Sequence, residues 1–176
     1  MAVFIAFVLM LHQGLRRGEV LLLPADAVKS AKDRKSGQTR YWIDVKRNNY
    51  ESSNDPRHSK PSIKTEQSIR QIPVSATTAR LVQTYFENFR GRPNHSYLLN
   101  AQSGKPLSTE SLTKLFTLVS AKIPADSLEE LDERNAMRSV TCHDLRHTCA
   151  VVRLNQLLER GDPMPEVLQK MRTFFG

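Results

Sequence analysis

The stretch Thr141-Cys-His-Asp-Leu-Arg-His-Thr148 has the pattern of a helix start. Thr141 is followed three residues later by Asp144, which is a capping-box pattern, although Asp is a weaker partner there than Glu or Gln. An apolar-periodic run continues from it and predicts a helix over residues 142–160 that ends at Gly161. The residues of that run are Leu145, Thr148, Cys149, Val152, Leu154, Leu157 and Leu158.

Two side chains of this stretch suit the binding of a phosphate group. His143 and Arg146 are three residues apart, so they are neighbours on one face of the first helical turn. Unpaired backbone N–H groups and the positive end of the helix dipole lie at the same end. An imidazole that can move a proton, a guanidinium and a helix N-terminus therefore favour a site for one phosphate.

The composition agrees with an anionic partner. The chain has 176 residues, enough for one domain, and 39% of them are hydrophobic, enough for a core. It carries 26 Lys and Arg against 18 Asp and Glu, a net charge of +8. Nucleic acid is the commonest partner of so basic a protein. Charge alone leaves open a basic soluble protein without such a partner.

The two cysteines and the apolar run at the start of the sequence indicate where in the cell the protein is expected. Cys142 and Cys149 are seven residues apart on the predicted helix, about 10 Å, which is too far for a disulfide. Free thiols indicate an intracellular protein, and two cysteines are too few for a structural zinc site. The apolar run over residues 2–11 is too short to span a bilayer and lacks the features of a signal peptide, so it predicts a buried helix.

The rest of the chain predicts a mainly α protein with a small antiparallel β-sheet. Strands are expected within residues 25–48, around a turn at Gly37, and within residues 63–74, around a turn at residues 66–67; residues 48–60 have a polar loop composition. Apolar residues predicted to pack are Ile69, Ile72, Val74, Leu81, Val82, Tyr85, Phe86, Phe89, Leu112, Leu115, Phe116 and Val119. Helices are expected over residues 2–13, 15–22, 76–89, 109–122 and 163–173, with an exposed acidic insertion or helix over residues 125–134.

Three segments resemble the tyrosine recombinases, the phage integrase family. His143-Asp-Leu-Arg-His-Thr resembles the family's second catalytic box, and Gly14-Leu-Arg-Arg-Gly-Glu19 resembles its first box, a Gly-x-Arg followed by Glu. Between them, Lys64-Thr-Glu-Gln-Ser-Ile-Arg-Gln-Ile-Pro-Val74 resembles the β-hairpin that carries the catalytic lysine, with a slightly longer turn. The three segments stand in the family's order and cover nearly the whole chain, which makes them more specific than any one alone.

The resemblance implies the catalytic-domain fold of the DNA breaking–rejoining enzymes, in a single domain over residues 1–176. It implies strand cleavage and rejoining through a 3′-phosphotyrosine, with double-stranded DNA as partner, a tetramer of the full-length protein on DNA, and no membrane. Neither a metal nor another cofactor is expected, because guanidinium groups take the place of a divalent metal. The compartment implied is the bacterial cytoplasm, with its nucleoid.

The resemblance also assigns four catalytic residues. Arg16 and Arg146 are expected to clamp the non-bridging phosphate oxygens, on which negative charge accumulates. Lys64 is expected to protonate the leaving 5′-oxygen, and His143 to assist proton transfer at the nucleophile or to steady the phosphate. We expect all four side chains to converge on one basic surface.

Five further residues have supporting or tentative roles. Glu19 is expected to orient Arg16 or to cap a backbone group, and His147 is expected to be a buried, hydrogen-bonded histidine that supports the site. Arg47, Arg57 and Lys60 lie in or beside the polar loop and are tentative phosphate contacts. An alternative for these three is a solvated loop that contacts nothing.

The nucleophile has no candidate in the family's position. All tyrosines, which are Tyr41, Tyr50, Tyr85 and Tyr97, precede the His143 box, whereas the family's tyrosine follows it. Residues 168–176 resemble the segment that runs into the family's second His or Trp, which precedes that tyrosine. We therefore expect a catalytic domain that is incomplete at its C-terminus, lacks an upstream DNA-binding domain, and is inactive by itself.

Three alternatives remain open at this point. The first is a metal-dependent hydrolase, because His143 and His147 have the i, i+4 spacing of a helical zinc site. Hydrolases with that spacing have Glu where Asp144 stands, however, and Arg146 would put a positive charge beside the metal. A DNA-binding module without catalysis is the alternative that is not an enzyme. A type IB topoisomerase, which shares the phosphate chemistry, is the closest enzymatic alternative.

Overall fold

A computed structural model describes residues 1–46, 55–63 and 68–176. These residues form a mainly helical protein with a small antiparallel sheet, as predicted. Its elements in chain order are α1 (Ala2–Gln13), α2 (Arg17–Leu22), β1 (Val28–Lys32), β2 (Thr39–Val45), β3 (Arg70–Val74), α3 (Ala76–Asn88), α4 (Thr109–Ser120), α5 (Ala125–Asn135), α6 (Cys142–Glu159) and α7 (Met164–Phe175).

The sheet has the strand order β1-β2-β3, and both pairings are antiparallel. Ile43 on β2 lies opposite Val28 on β1 and Ile72 on β3, so apolar residues of all three strands share the face that packs on the core. The turn between β1 and β2 contains Gly37 at φ 70°, as predicted. Within the described residues, the strand pair expected over residues 63–74 is present only as β3, and its expected turn at residues 66–67 lies outside them.

Local side-chain chemistry sets the helix starts. Ser75 accepts the backbone N–H of Thr78 at the start of α3, and Ser108 accepts that of Ser111 at the start of α4. Thr141 and Asp144 form the predicted capping box of α6. Each hydroxyl or carboxylate replaces a missing intrahelical partner of the first turn, which is why these short patterns predict the starts correctly.

Helix α1 is the centre of the core. Its residues Ile5, Leu9 and Met10 are completely buried, which confirms the buried helix predicted from the apolar run. It packs against α6 through the buried side chains of Leu145 and Cys149. Among the described helices, none is long and apolar enough to cross a membrane.

Several apolar side chains predicted to pack are instead exposed. On α3 the buried residues are Thr78, Ala79, Val82 and Tyr85, whereas Phe86 and Phe89 are solvent-exposed. Successive helical residues point about 100° apart, so a stripe centred on Val82 and Tyr85 turns Phe86 towards solvent. Ile69, which precedes β3, is also exposed, and so are Val119, Val152 and Leu158 on their helices.

The acidic segment over residues 125–134 forms α5, a helix without buried residues. It connects α4 to α6 along the surface. Hydrogen bonds join four element ends, and the candidate site lies where they meet: the start of α2, the start of α6, the start of β3 and the end of α7.

Candidate active site

Arg16 sits at the junction of α1 and α2. Gly14 ends α1 in the left-handed conformation, at φ 59°, and Arg16 is the extended N-cap residue of α2, so the predicted helix over residues 15–22 begins two residues later. A Cβ at Gly14 would collide with the ring of Phe175, and the left-handed backbone also favours glycine. This glycine therefore allows the end of α7 to approach Arg16.

Glu19 holds Arg16 in place, as predicted. The backbone N–H of Arg16 donates to Glu19 Oε2 at 2.8 Å, and Arg16 Nη1 donates to Glu19 Oε1 at 3.0 Å. Arg16 Nη1 also donates to Ser68 Oγ at 3.1 Å, and Nη2 donates to the carbonyl of Gly176 at 2.9 Å. The guanidinium is therefore fixed from several sides while a third of the side chain stays exposed.

Arg146 reaches the same carboxylate from α6. Its Nη1 lies 3.9 Å from Glu19 Oε2, and it donates to the carbonyl of Gly14 at 2.6 Å. Its Nη2 donates to the carbonyl of Phe175 at 2.7 Å, and its guanidinium lies 5.0 Å from the centre of that residue's ring. Arg16 and Arg146, distant in sequence, thus come together around one acid and the end of α7.

A depression of about 610 Å³ lies in front of the two arginines. His143 and the N-terminal residues of α6 form one side of it, as expected for a phosphate site at a helix start. The opposite side is formed by α4, where Arg17 Nη1 donates to Thr113 Oγ1 at 2.9 Å. Three of the four expected catalytic side chains, those of Arg16, His143 and Arg146, therefore line one depression. Lys64 and Arg47 lie outside the described residues.

Burial and the charges of neighbouring groups shift pKa values in this cluster. Burial, and then the nearby charge of Arg16, lower the pKa of Arg146 from its ordinary value to about 10, so this guanidinium is still charged at neutral pH. Burial by itself would raise the pKa of Glu19, but hydrogen bonds from Arg70 and from the backbone of Arg16 outweigh it. The pKa of the Glu19 carboxyl therefore lies below its ordinary value of 4.5, and the group is ionised.

Arg70 is the member of the cluster that the sequence interpretation missed. It donates through Nη1 and Nη2 to the two oxygens of Glu19, at 2.9 and 3.0 Å, and only 5% of its side chain is exposed. A signal was present, because alternation along β3 puts Arg70 on the same face as Ile72 and Val74, which pack on the core. An arginine on a buried strand face requires an acidic partner.

The two histidines of α6 are both exposed, so the expectation of a buried, hydrogen-bonded His147 is wrong. Their rings contact each other edge to face, with centres 4.2 Å apart. Residues i and i+4 share a helix face, and the face of α6 that packs on the core carries Leu145 and Cys149 instead. In the described parts of the chain, no three His, Cys, Asp or Glu side chains come close enough to hold a metal ion together.

Arg57 and Lys60, two of the candidate phosphate contacts in the polar loop, differ in exposure. Arg57 is buried against Asp55 rather than exposed, so neither a solvated side chain nor a phosphate contact fits its position. Its Nε donates to both oxygens of Asp55 at 2.9 Å, its Nη1 donates to the carbonyl of Leu21 at 2.9 Å, and the ring of Tyr97 covers it at 4.2 Å. Lys60, three residues on, is exposed at the surface.

The described tyrosines are not placed to attack a phosphate in the depression. Tyr85 and Tyr97 are buried in the core, and burial raises the pKa of both phenols. Tyr41 lies on β2 and packs against the core. None of these three lines the depression, and Tyr50 lies outside the described residues.

Comparisons with known proteins identify the fold. Neither a protein-family model nor a curated protein sequence matches the chain. Among solved structures, the Tn1549 transposon integrase in complex with transposon right end DNA matches 97% of this chain and 50% of its own, with 19% identity and a TM-score of 0.53. The same integrase in complex with circular intermediate DNA matches 97% and 51%, with 20% identity and a TM-score of 0.52. The chain thus spans about half the length of these structures, and it has the mainly helical α+β fold of their matched part.

Proposed function

We propose that this chain is part of the catalytic domain of a tyrosine-type site-specific DNA recombinase, which cleaves and rejoins strands through a 3′-phosphotyrosine. The observation that carries the proposal is the convergence of Arg16 and Arg146 on one carboxylate, at a depression that His143 also lines. The fold likeness to an integrase bound to DNA and the three sequence boxes support it. Double-stranded DNA is the proposed partner, and a tetramer on DNA the proposed assembly of the longer protein.

The charge balance of the cluster supports an anionic ligand. Three guanidinium groups, from Arg16, Arg70 and Arg146, surround the single carboxylate of Glu19, so positive charge is in excess. Excess charge in a partly desolvated place attracts a phosphodiester, and it attracts the more highly charged transition state more strongly. Arg16 and Arg146, which line the depression, would each donate hydrogen bonds to non-bridging oxygens.

Proton transfer would fall to two other residues. His143 lines the same depression as the arginines, within reach of a nucleophile that enters it. Lys64 would protonate the leaving 5′-oxygen; this assignment rests on the sequence resemblance alone. Guanidinium groups supply the positive charge that a divalent metal supplies in other phosphoryl-transfer sites, so the proposed reaction proceeds without magnesium.

The proposed nucleophile is a tyrosine that follows Gly176 in the longer protein. Arg146 binds the carbonyl of Phe175 and Arg16 binds that of Gly176, so a chain that continues from there leaves α7 beside both arginines. A nucleophile must lie in line with the leaving oxygen, roughly 3 Å from phosphorus. The buried positions of Tyr85 and Tyr97 support a nucleophile from outside this core.

A covalent-adduct assay tests the proposal. A labelled nicked duplex that traps the intermediate is incubated without magnesium, and covalent complexes are separated on a denaturing gel. The chain extended by its natural downstream segment is expected to form an adduct, Arg16→Ala in that extended chain is expected to abolish it, and the present chain is expected to form none. An extended chain that binds the duplex but gives no adduct would favour a DNA-binding module without catalysis.

A second variant checks the position of the nucleophile. Tyr50 is the one tyrosine that the described residues do not include. If the present chain gives a covalent band that is lost in Tyr50→Phe, the nucleophile is within this chain and the proposed downstream tyrosine is wrong.

A further inference from the structure

The three arginines around Glu19 differ in their access to solvent. The side chain of Arg16 is 33% exposed and that of Arg146 is 12% exposed, and both line the depression. The side chain of Arg70 is 5% exposed and is not part of the lining. Two arginines are therefore available to a ligand in the depression, and the third lies behind them.

The hydrogen bonds of Arg70 point into the protein. Its Nη1 and Nη2 donate to the two oxygens of Glu19, and Nη1 also donates to the carbonyl of Ser68 at 2.7 Å. Its Nε donates to the carbonyl of Phe174 at 2.8 Å. A guanidinium bound bidentately to a buried carboxylate has a fixed orientation, and here all three of its nitrogens donate to acceptors within the protein.

Glu19 is therefore mostly occupied before Arg146 approaches it. Oε1 accepts from Arg70 and Arg16, and Oε2 accepts from Arg70 and from the backbone N–H of Arg16. Arg146 Nη1 stays 3.9 Å from Oε2, beyond hydrogen-bond distance, and it is held by the carbonyls of Gly14 and Phe175 instead. Its charge is consequently less compensated than the charges of the other two arginines.

We infer that Arg70 is a positioning residue for phosphate binding: by occupying both oxygens of Glu19, it keeps that carboxylate from drawing Arg146 out of the depression. This inference rests on the proposed function, because it assumes that Arg146 binds phosphate. Without Arg70, a buried carboxylate would have unsatisfied acceptor sites beside a guanidinium 3.9 Å away. The two groups would then close to a direct ion pair, and Arg146 would be less available to DNA.

The test compares Arg70→Met and Arg146→Ala, singly and together, by the fluorescence anisotropy of a labelled DNA duplex. Circular dichroism and urea unfolding check that each variant is folded. Arg70→Met is expected to weaken binding about tenfold, close to the effect of Arg146→Ala, since one charge-assisted hydrogen-bond group is lost in both. The double variant is expected to bind about as weakly as either single variant, because both changes remove the same interaction.

A rescue variant separates positioning from a general structural role. The double change Glu19→Gln with Arg70→Met removes two groups at once. The first is the carboxylate that would capture Arg146, and the second is the arginine that binds this carboxylate bidentately. This pair is expected to recover part of the DNA affinity that Arg70→Met loses, because no carboxylate remains to draw Arg146 away; the recovery is partial because Glu19 also accepts two hydrogen bonds from Arg16. It also provides the test if Arg70→Met alone does not fold, because it leaves no uncompensated buried carboxylate.

Arg153→Met is the matched control. Arg153 lies on α6 and contacts the same residue of α7 as Arg70 does, since its guanidinium stacks on the ring of Phe174 at 3.6 Å. Its loss should disturb the packing of α7 without altering the hydrogen bonds of Glu19, so DNA affinity is expected to stay unchanged.

The outcomes distinguish this inference from the proposed function. Arg70→Met with unaltered affinity, additive losses in the double variant, a failed rescue by Glu19→Gln, or an equal loss in Arg153→Met would each overturn the positioning role. If instead Arg16→Ala and Arg146→Ala leave DNA binding unaltered, the proposed phosphate site itself is wrong.

Discussion

In the described part of the chain, two buried clusters pair an acid with arginine, and they differ in charge balance. We define the Asp55 cluster as Asp55, Arg57 and Tyr97, and the Glu19 cluster as Glu19, Arg16, Arg70 and Arg146. The Asp55 cluster thus has one acid and one arginine, whereas the Glu19 cluster has one acid and three arginines.

The Asp55 cluster is closed to solvent. The side chains of Arg57 and Asp55 are 2% and 6% exposed, and the ring of Tyr97 covers the guanidinium. Arg57 also donates to the carbonyls of Leu21 and Leu107, so it ties the loop to α2 and to the segment before α4. The charges balance and the donors are used inside the protein, which is what a structural anchor requires.

The Glu19 cluster is open on one side and carries excess positive charge. Arg70 closes its back, whereas Arg16 and Arg146 line the depression at its front. A buried arginine is therefore no sign of a binding site by itself. The two clusters differ in that only the Glu19 cluster has uncompensated charge next to an open depression, and this difference is the basis for proposing that it binds a ligand whereas the Asp55 cluster is an anchor.

Arg57→Met tests the structural half of the comparison and should have the largest effect. It leaves Asp55 buried without its partner, so the free energy of unfolding is expected to fall by about 3–5 kcal/mol, measured by urea unfolding. The double change Asp55→Asn with Arg57→Met should lose less, because no uncompensated charge remains. DNA affinity of the folded Arg57→Met variant is expected to be unaltered; a loss of affinity would mean that the Asp55 cluster is not a pure anchor.

Arg146→Ala tests the binding half. It should weaken DNA binding about tenfold, which is about 1.4 kcal/mol, and lower the log–log salt slope by about one, measured by anisotropy titrations at several salt concentrations. The loss should be equal for unrelated DNA sequences, because phosphate contacts carry no base information. Arg80→Ala, which removes an exposed arginine of α3, is the charge-matched control. Equal losses in both variants would show that only net charge matters.

The pH dependence of stability sharpens the comparison further. The pKa values of Glu19 and Asp55 both lie below their ordinary values of 4.5 and 3.8: burial opposes this shift, and hydrogen bonds from Arg70 and Arg57 respectively outweigh it. Each carboxylate therefore contributes stability that is complete above its ordinary pKa and is lost as the pH falls through its lowered pKa in the folded protein. The urea midpoint is expected to fall on acidification below about pH 4.5.

Glu19→Gln should flatten this decline, because the substituted side chain does not titrate. Asp126→Asn, at an exposed position on α5, is the control and should leave the decline as steep as before. If Glu19→Gln and the unaltered chain decline in parallel, Glu19 does not contribute to the acid sensitivity.

Lys60→Ala should have the smallest effect. Lys60 is exposed on the described loop after Arg57, so its loss is expected to change stability by less than about 0.5 kcal/mol. If the loop contacts DNA, affinity should fall by about 0.5 kcal/mol and the salt slope by about one. An unaltered salt slope would remove Lys60 from the DNA contacts, as burial has already removed Arg57.

The sequence was a reliable guide where interactions are local. The caps at Ser75, Ser108 and Thr141 each act within two or three residues, and the structure confirms all three helix starts. The motifs predicted that Arg16, Lys64, His143 and Arg146 converge on one surface; Arg16, His143 and Arg146 line one depression, and Lys64 lies outside the described residues. These residues were identified by resemblance, and their local helices could be predicted from periodicity and caps.

The errors concern side chains whose surroundings are built from distant segments. The residues around Arg57 have the composition of a solvated loop. Its hydrogen-bond partners, the carbonyls of Leu21 and Leu107, are 36 and 50 residues away in the sequence. His147 follows a helical pattern that predicts its face only when the opposing elements are known. The exposure of Phe86 depends on how widely the core covers α3, which the pattern of α3 alone does not show.

The sequence by itself determined the three capped helix starts and the packing of Ile72 and Val74, and its resemblance to a family identified the two arginines in the depression, since caps, period-two alternation and motif spacing act along the chain. Only the tertiary structure decided that Arg70 lies behind Glu19, because its contacts with Glu19 and Phe174 join residues 51 and 104 positions apart. The same holds for the closed Asp55 cluster. A charge is buried or exposed according to which distant groups compensate it, and that compensation exists only after the chain has folded.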